Sequence, residues 1–316
     1  MATITTEAAT VRPTEPPVRR PNNWRWRFLP QYLAISPFFV LFAVFSAYPV
    51  LYSLYLAFQR WDGIGPMTFV GLDNFAFLIS DTQFWTSIWN TLLIWVMSTI
   101  PMTILALLIA VGLNSSVRFK GFYRIAYFMP NVTSIVAMTI VFGSIFSTQF
   151  GILNTALRAI GIDPVEWLTD PWGIRITISI MIIWRWVGYN SIIFLAGLQA
   201  IPTDVFEAAR VDGAGPIRTF FQVTLPLLRP VLLFSVVMSA INGLQIFAEA
   251  QILVGERGGV EDAGTTMVLY FYNQAFAAND FGYGAAIAWG IFLVVVLFAI
   301  LNWRLIQRPE RAEVAR

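Results

Sequence analysis

Residues 87–113 read SIWNTLLIWVMSTIPMTILALLIAVGL, a run without a single Asp, Glu, Lys, Arg or His. Wound as a helix rising 1.5 Å per residue, it outreaches the roughly 30 Å of hydrocarbon in a bilayer. A helix this long that is apolar on every side offers no face to water, so it reads as a membrane span.

The same pattern recurs on both sides of it. Residues 31–58 carry no charge, and their Pro37 and Pro49 are of the kind that spanning helices accept. Further spans are predicted over residues 125–146, 172–199, 228–254 and 281–303. Composition agrees: of 316 residues, 57% are apolar and 12% charged, against roughly 25% charge in soluble chains. Mean hydropathy is +0.68.

Cysteine and histidine are both absent. Disulfides, thiolate nucleophiles, the commonest zinc ligand and the usual catalytic base are thereby excluded, and neither catalytic residues nor a metal site is predicted. No Gly-x-x-x-x-Gly-Lys-Ser/Thr run exists, the one lysine, Lys120, being followed by Gly-Phe, so no phosphate-cradling loop can form. The basic residues are scattered between apolar runs rather than gathered into a nucleic-acid-binding patch.

Those basic residues set the orientation. With both termini cytoplasmic, only Arg60, Arg158, Arg175 and Arg257 of twenty Lys and Arg fall outside, and Arg185 lies within a span. The expected fold class is therefore an all-α membrane protein of six transmembrane helices in a cell membrane. The expected organisation is a disordered cytoplasmic tail over residues 1–30, with Trp24 and Trp26 as interfacial anchors, a six-helix domain over 31–306, and a cytoplasmic tail over 307–316.

Between spans four and five, residues 201–226 are too polar to cross and too patterned for a plain loop: IPTDVFEAARVDGAGPIRTFFQVTLP. Thr203 can cap a short helix, Asp204 and Glu207 suit its first turns, and Gly213 supplies its stop. A second short helix is expected from Pro216 to Pro226. Phe206, Phe220 and Phe221 are too many for elements this short to bury, so they need cover from either the ends of the spans or another protein, and another protein is the expectation.

Glu207-Ala208-Ala209, then Gly213, then Val223-Thr224-Leu225-Pro226 resembles the EAA loop of ABC importer permeases, Val223 standing where that family usually has Ile. The resemblance covers nearly the whole chain after the tail and points to the maltose-type carbohydrate permeases. Val70-Gly71-Leu72-Asp73-Asn74-Phe75, Asn90-Thr91, Gly151-Ile152-Leu153-Asn154 and Leu195-Ala196-Gly197-Leu198-Gln199 are similar to that family's landmarks. Gly255-Glu256-Arg257-Gly258-Gly259-Val260 departs from its usual Gly-Gly-Pro.

The resemblance implies a type I importer fold and a coupling helix docking on a separate ATPase, carried by Glu207, Ala208, Ala209, Asp212, Gly213, Phe220, Phe221, Leu225 and Pro226. It further implies a second, distinct permease subunit, two ATPase subunits, an external sugar-binding protein and a sugar as cargo, with glycerol phosphate also within the family's range. No cofactor is expected on this chain, ATP and Mg belonging to the ATPases.

Polar groups inside spans mark either a solute path or helix-to-helix glue. Asn242, Gln245 and Glu249 recur at helical spacing and are expected on one face of span five. Trp184, Trp186, Tyr189 and Asn190 on span four offer aromatic platforms and an amide. Arg185 has three readings: neutralisation by Glu249, lining of a cavity, or snorkelling to the interface. A stand-alone secondary transporter, with broken helices and an ion-coupling carboxylate, is the alternative function.

Overall fold

The computed structural model describes residues 28–115 and 118–313, with the side chains of 302, 303 and 305–313 left aside. The expected anchors Trp24 and Trp26, and nearly all of the expected tail, lie outside these residues. The chain divides into two units, Met1–Tyr52 and Ser53–Arg316.

Span one is α1 (Leu29–Phe42), a π-helical turn (Ala43–Ala47) and α2 (Tyr48–Leu56). Pro49 follows the widened turn, which accommodates its missing amide, while at Pro37 the freed Leu33 carbonyl accepts from Ser36 Oγ at 2.9 Å. A two-residue hairpin follows, β1 (Gln59–Arg60) antiparallel to β2 (Thr68–Phe69). Next come α3 (Asp73–Ser80) and the long α4 (Thr82–Asn114), whose N-terminus is capped by Asp81 accepting from Gln83 N at 2.9 Å.

The predicted third span, residues 125–146, is two helices, α5 (Lys120–Val132) and α6 (Ile135–Ile145), bent by 95°. Pro130 removes an amide from the last turn of α5, and Thr133 and Ser134 are both non-helical (ψ 143 and 128), so the chain turns there. The external connection carries α7 (Ile152–Ala159), and α8 (Pro171–Gln199) is span four.

Beyond α8 lie α9 (Thr203–Val211) and α10 (Pro216–Thr219). The second loop helix does not stop at Pro226: α10 runs through a π-helical turn (Phe220–Thr224) into α11 (Leu225–Gly243), one helical path of 28 residues. The widened turn accommodates the missing amide of Pro226 without breaking the helix. Span five ends earlier than expected, at Gly243, and a separate α12 (Ala248–Val254) continues outward. Then come α13 (Met267–Tyr272), which hydropathy does not announce, and α14 (Phe281–Glu313), which stays helical past Trp303 and through residue 307.

Among the described residues, five helical runs are long and apolar enough to cross a membrane, or six when the bent pair α5–α6 is taken as one span. The centre is α4 against α8. Ile94 shares one buried cluster with Ile174, Ile178 and Ile182, while Ala106 and Ala110 share another with Phe194, Leu195 and Leu198. Small residues matter here because dispersion, not hydrophobicity, joins helices in lipid. At Gly188 the approach of α8 to α5 is so close that a Cβ would lie 1.6 Å from the Tyr127 carbonyl oxygen.

Three asparagines pin the external connections. Asn74 donates to the Ala57 and Gln59 carbonyls at 2.9 Å each. Asn90 donates to Asp262 O (2.8 Å) and Thr265 O (3.2 Å) while its Oδ1 accepts from the Arg175 guanidinium. Asn154 donates to Thr148 O and Val165 O, and accepts from Val165 N and Trp167 Nε1. Asp81 accepts from the hydroxyls of both Tyr270 and Tyr283, tying α13 and α14 to the head of α4.

Candidate functional site

Two sites emerge, one between the spans and one at the α9–α10 loop. The first is a cavity of about 340 Å³ among α4, α8 and the span-five segments. All five residues expected on a solute path, Arg185, Asn190, Asn242, Gln245 and Glu249, line it. They reach it differently from the expectation. Asn242 closes α11, Gln245 lies in the break and Glu249 opens α12, so no continuous helical face unites them.

Their hydrogen bonding separates framework from open groups. Asn190 is 6% exposed, accepts from Ser235 Oγ at 2.5 Å and donates to Trp186 O at 3.0 Å; it joins α8 to α11. Asn242 and Gln245 are exposed, and each turns its amide N–H back on its own chain, to Met238 O (2.8 Å) and Ile241 O (3.0 Å). No hydrogen bond engages their side-chain oxygens among the described residues, which leaves both as acceptors on residues that line the cavity. Trp186 and Tyr189, edge to face at 5.7 Å, line the same space. Trp184 does not: it packs on Phe142 in a separate apolar groove with Met138 and Val141.

Arg185 donates to Thr133 O at 3.5 Å, the carbonyl left over where α5 ends. Among the described residues it makes no hydrogen-bonded pair with Glu249, although both line the cavity. Trp95, Ser98 and Ser239 also line it, and the sequence reading missed them. The signal was available on span two, where Trp95 and Ser98 stand three residues apart on one helical face.

At the loop, α9 starts with Pro202 as its cap residue rather than Thr203, which is already helical and makes no capping bond. Its end is a Schellman motif: Gly213 N donates to Arg210 O (3.1 Å) and Ala214 N to Ala209 O (2.9 Å), with Gly213 at φ +74. Glu207, Ala208 and Asp212 are exposed, and Ala209 is buried. Phe206 and Phe220 are half-buried, lining a groove with Val111, Asn114 and Leu198 from the ends of α4 and α8. Phe221 stays 60% exposed, and so do Val211 and Ile217 of the same loop, which the sequence did not single out. Leu225 and Pro226 belong to α11.

Apolar spans around a polar cavity, with an amphipathic hairpin joining two of them, define a multi-pass transport permease. Residues 75–310 match the family described as binding-protein-dependent transport system inner membrane component. The chain belongs to that family, a membrane permease of the type I importer fold.

It is 38% identical over 276 residues to the lactose transport system permease protein of Rhizobium radiobacter, covering 86% of this chain and 92% of that one. To the arabinooligosaccharides transport system permease protein of Bacillus subtilis (strain 168) it is 34% identical, over 95% and 96%. Among solved structures, a chain of a bacterial ABC transporter involved in the import of the acidic polysaccharide alginate superposes with a TM-score of 0.74 at 27% identity, covering 90% of this chain and 99% of the other.

Proposed function

We propose that this chain is one permease half of an ATP-driven importer that passes a sugar or oligosaccharide across the membrane from an external solute-binding protein. The observation that carries the reading is the cavity: Asn242, Gln245 and Glu249 present acceptors beside Trp186 and Tyr189. Hydroxyl donors and the C–H faces of a pyranose need that combination of acceptor and ring. The relatives' named substrates, lactose and arabinooligosaccharides, are of the same chemistry.

Energy comes from elsewhere in this reading. The α9–α10 hairpin, with Glu207 through Gly213 and the exposed Val211, Ile217 and Phe221, is the docking surface for one of two ATPase subunits, which hold ATP and Mg. A second, distinct permease completes the membrane pore. Both termini and the hairpin face the cytoplasm, as the distribution of basic residues supports. Copurification of the ATPase with the permease tests this: Gly213→Asp and Glu207→Ala should each release it, and retention of both would overturn the docking role.

A stand-alone, ion-coupled transporter has one observation in its favour, since spans three and five are both broken and Glu249 lies at one break. Liposomes holding this chain alone decide between the two. Solute uptake driven by an ion gradient without nucleotide would replace the importer reading.

A further inference from the structure

The breaks in spans three and five are neighbours, and their outer segments are packed on each other. α6 and α12 are in contact, and a Cβ at Gly143 on α6 would stand 3.7 Å from Leu253 Cδ1 on α12. Leu253 also packs into the cluster of Met138, Phe142 and Phe146. Each break frees a backbone carbonyl that the interior must satisfy. At span five the Ile246 carbonyl accepts from Thr266 Oγ1 at 2.6 Å. At span three the Thr133 carbonyl accepts from Arg185.

Arg185 stands midway along the spanning helix Pro171–Gln199, where an unpartnered guanidinium costs about 2.5–3.5 kcal/mol even on insertion scales. Its bond to Thr133 O sets it at the cap that ends α5, and it lines the cavity together with Glu249, in the first turn of α12, so it stands at both breaks at once. A cation at a helix C-terminus is the favourable sign for that dipole.

We propose that Arg185 is a positioning residue that holds α6 and α12 together as one hinged outer element over the cavity, by fixing the break at Thr133 and attracting Glu249 across the break in span five. It binds the framework rather than the solute. The hinges are Thr133–Ser134 and Leu244–Phe247, and the outer halves turn as a pair. The proposal rests on the importer reading only for its uptake readout.

The chain's natural lack of cysteine gives a clean background. In membranes carrying the full transporter, the pair Gly143→Cys and Leu253→Cys should be joined by a short bifunctional thiol reagent, with uptake preserved after joining. Adding Arg185→Met should slow joining by about tenfold or more and lower uptake by a similar factor, as displaced hinge residues do. Arg185→Lys, which keeps charge and donor, should restore most of both, and Glu249→Gln should slow joining by a smaller factor. Joining at an unchanged rate in Arg185→Met overturns the tether, as does uptake abolished by joining alone in the otherwise native chain. Should Arg185→Met insert poorly, Arg185→Lys and Glu249→Gln decide: equal and native joining in both overturns it. Because joining is read on this chain, a failure of ATP-driven uptake in every variant counts against the importer reading and leaves the tether judged by joining.

Discussion

At the scale of single residues, the most demanding position is Gly188. Backbone, not a side-chain tip, occupies the place of its missing Cβ, since the Tyr127 carbonyl oxygen would be 1.6 Å away. Gly188→Ala therefore forces α5 off α8, and the expected loss is about 1–3 kcal/mol or more, read as a lower melting temperature of the detergent-solubilised protein. Asn154 is a different kind of keystone. Asn154→Leu strands two carbonyls, the Val165 amide and the Trp167 indole, at about 1–3 kcal/mol for each buried group left unpaired. Its effect should be local: protease added from outside should nick residues 148–170 while the spans stay intact. The sequence marked Asn74, Asn90 and Asn154 only as family landmarks. What each one ties down became legible when their partners, up to 175 residues away for Asn90, were brought beside them.

At the scale of elements, hydropathy located every span and missed the direction changes inside them. Residues 125–146 carry no charge and 228–254 only Arg229 and Glu249, and a window average does not register two non-helical residues such as Thr133 and Ser134. The cavity residues were legible because polar side chains in a span are conspicuous, but their convergence depends on the break at residues 244–247, not on helical periodicity. Trp184 shows the limit of periodicity: one position from Arg185, it faces a different groove. The loop teaches the same lesson from the other side. Pro226 looked like a terminator, yet the π-helical turn Phe220–Thr224 carries the helix through it. That continuity joins α10 and span five in one helical path, which is expected to act as a rigid lever. Inserting a single alanine after Thr224 would rotate the hairpin by about 100° against the span. ATP-driven uptake should then fall to background with normal membrane insertion, and uptake within a few-fold of native would show that the lever is not rigid.

At the scale of the whole molecule, the decisive quantity is which face the hairpin occupies. Two groups of basic residues act together: Arg118, Lys120 and Arg124 flank the α4–α5 turn, while Arg210, Arg218 and Arg229 surround the hairpin, and both groups lie at the same end of α4 and α8. Translocating either group would oppose the bias that orients short loops. The external end carries instead the Asn90–Arg175 and Asp81–Tyr270–Tyr283 ties, where Arg175 is held by an amide oxygen and stacks 5.4 Å from the Trp172 ring. Single cysteines at two exposed sites turn this into a measurement, because the native chain contributes no thiol of its own. In intact cells a membrane-impermeant thiol reagent should label Asp163→Cys, in the α7–α8 connection, and leave Asp212→Cys, at the end of α9, untouched until the membrane is opened. Labelling of Asp212→Cys from outside would put the hairpin beyond the reach of any cytoplasmic ATPase, and the importer mechanism would fail with it, whatever the likeness of the fold.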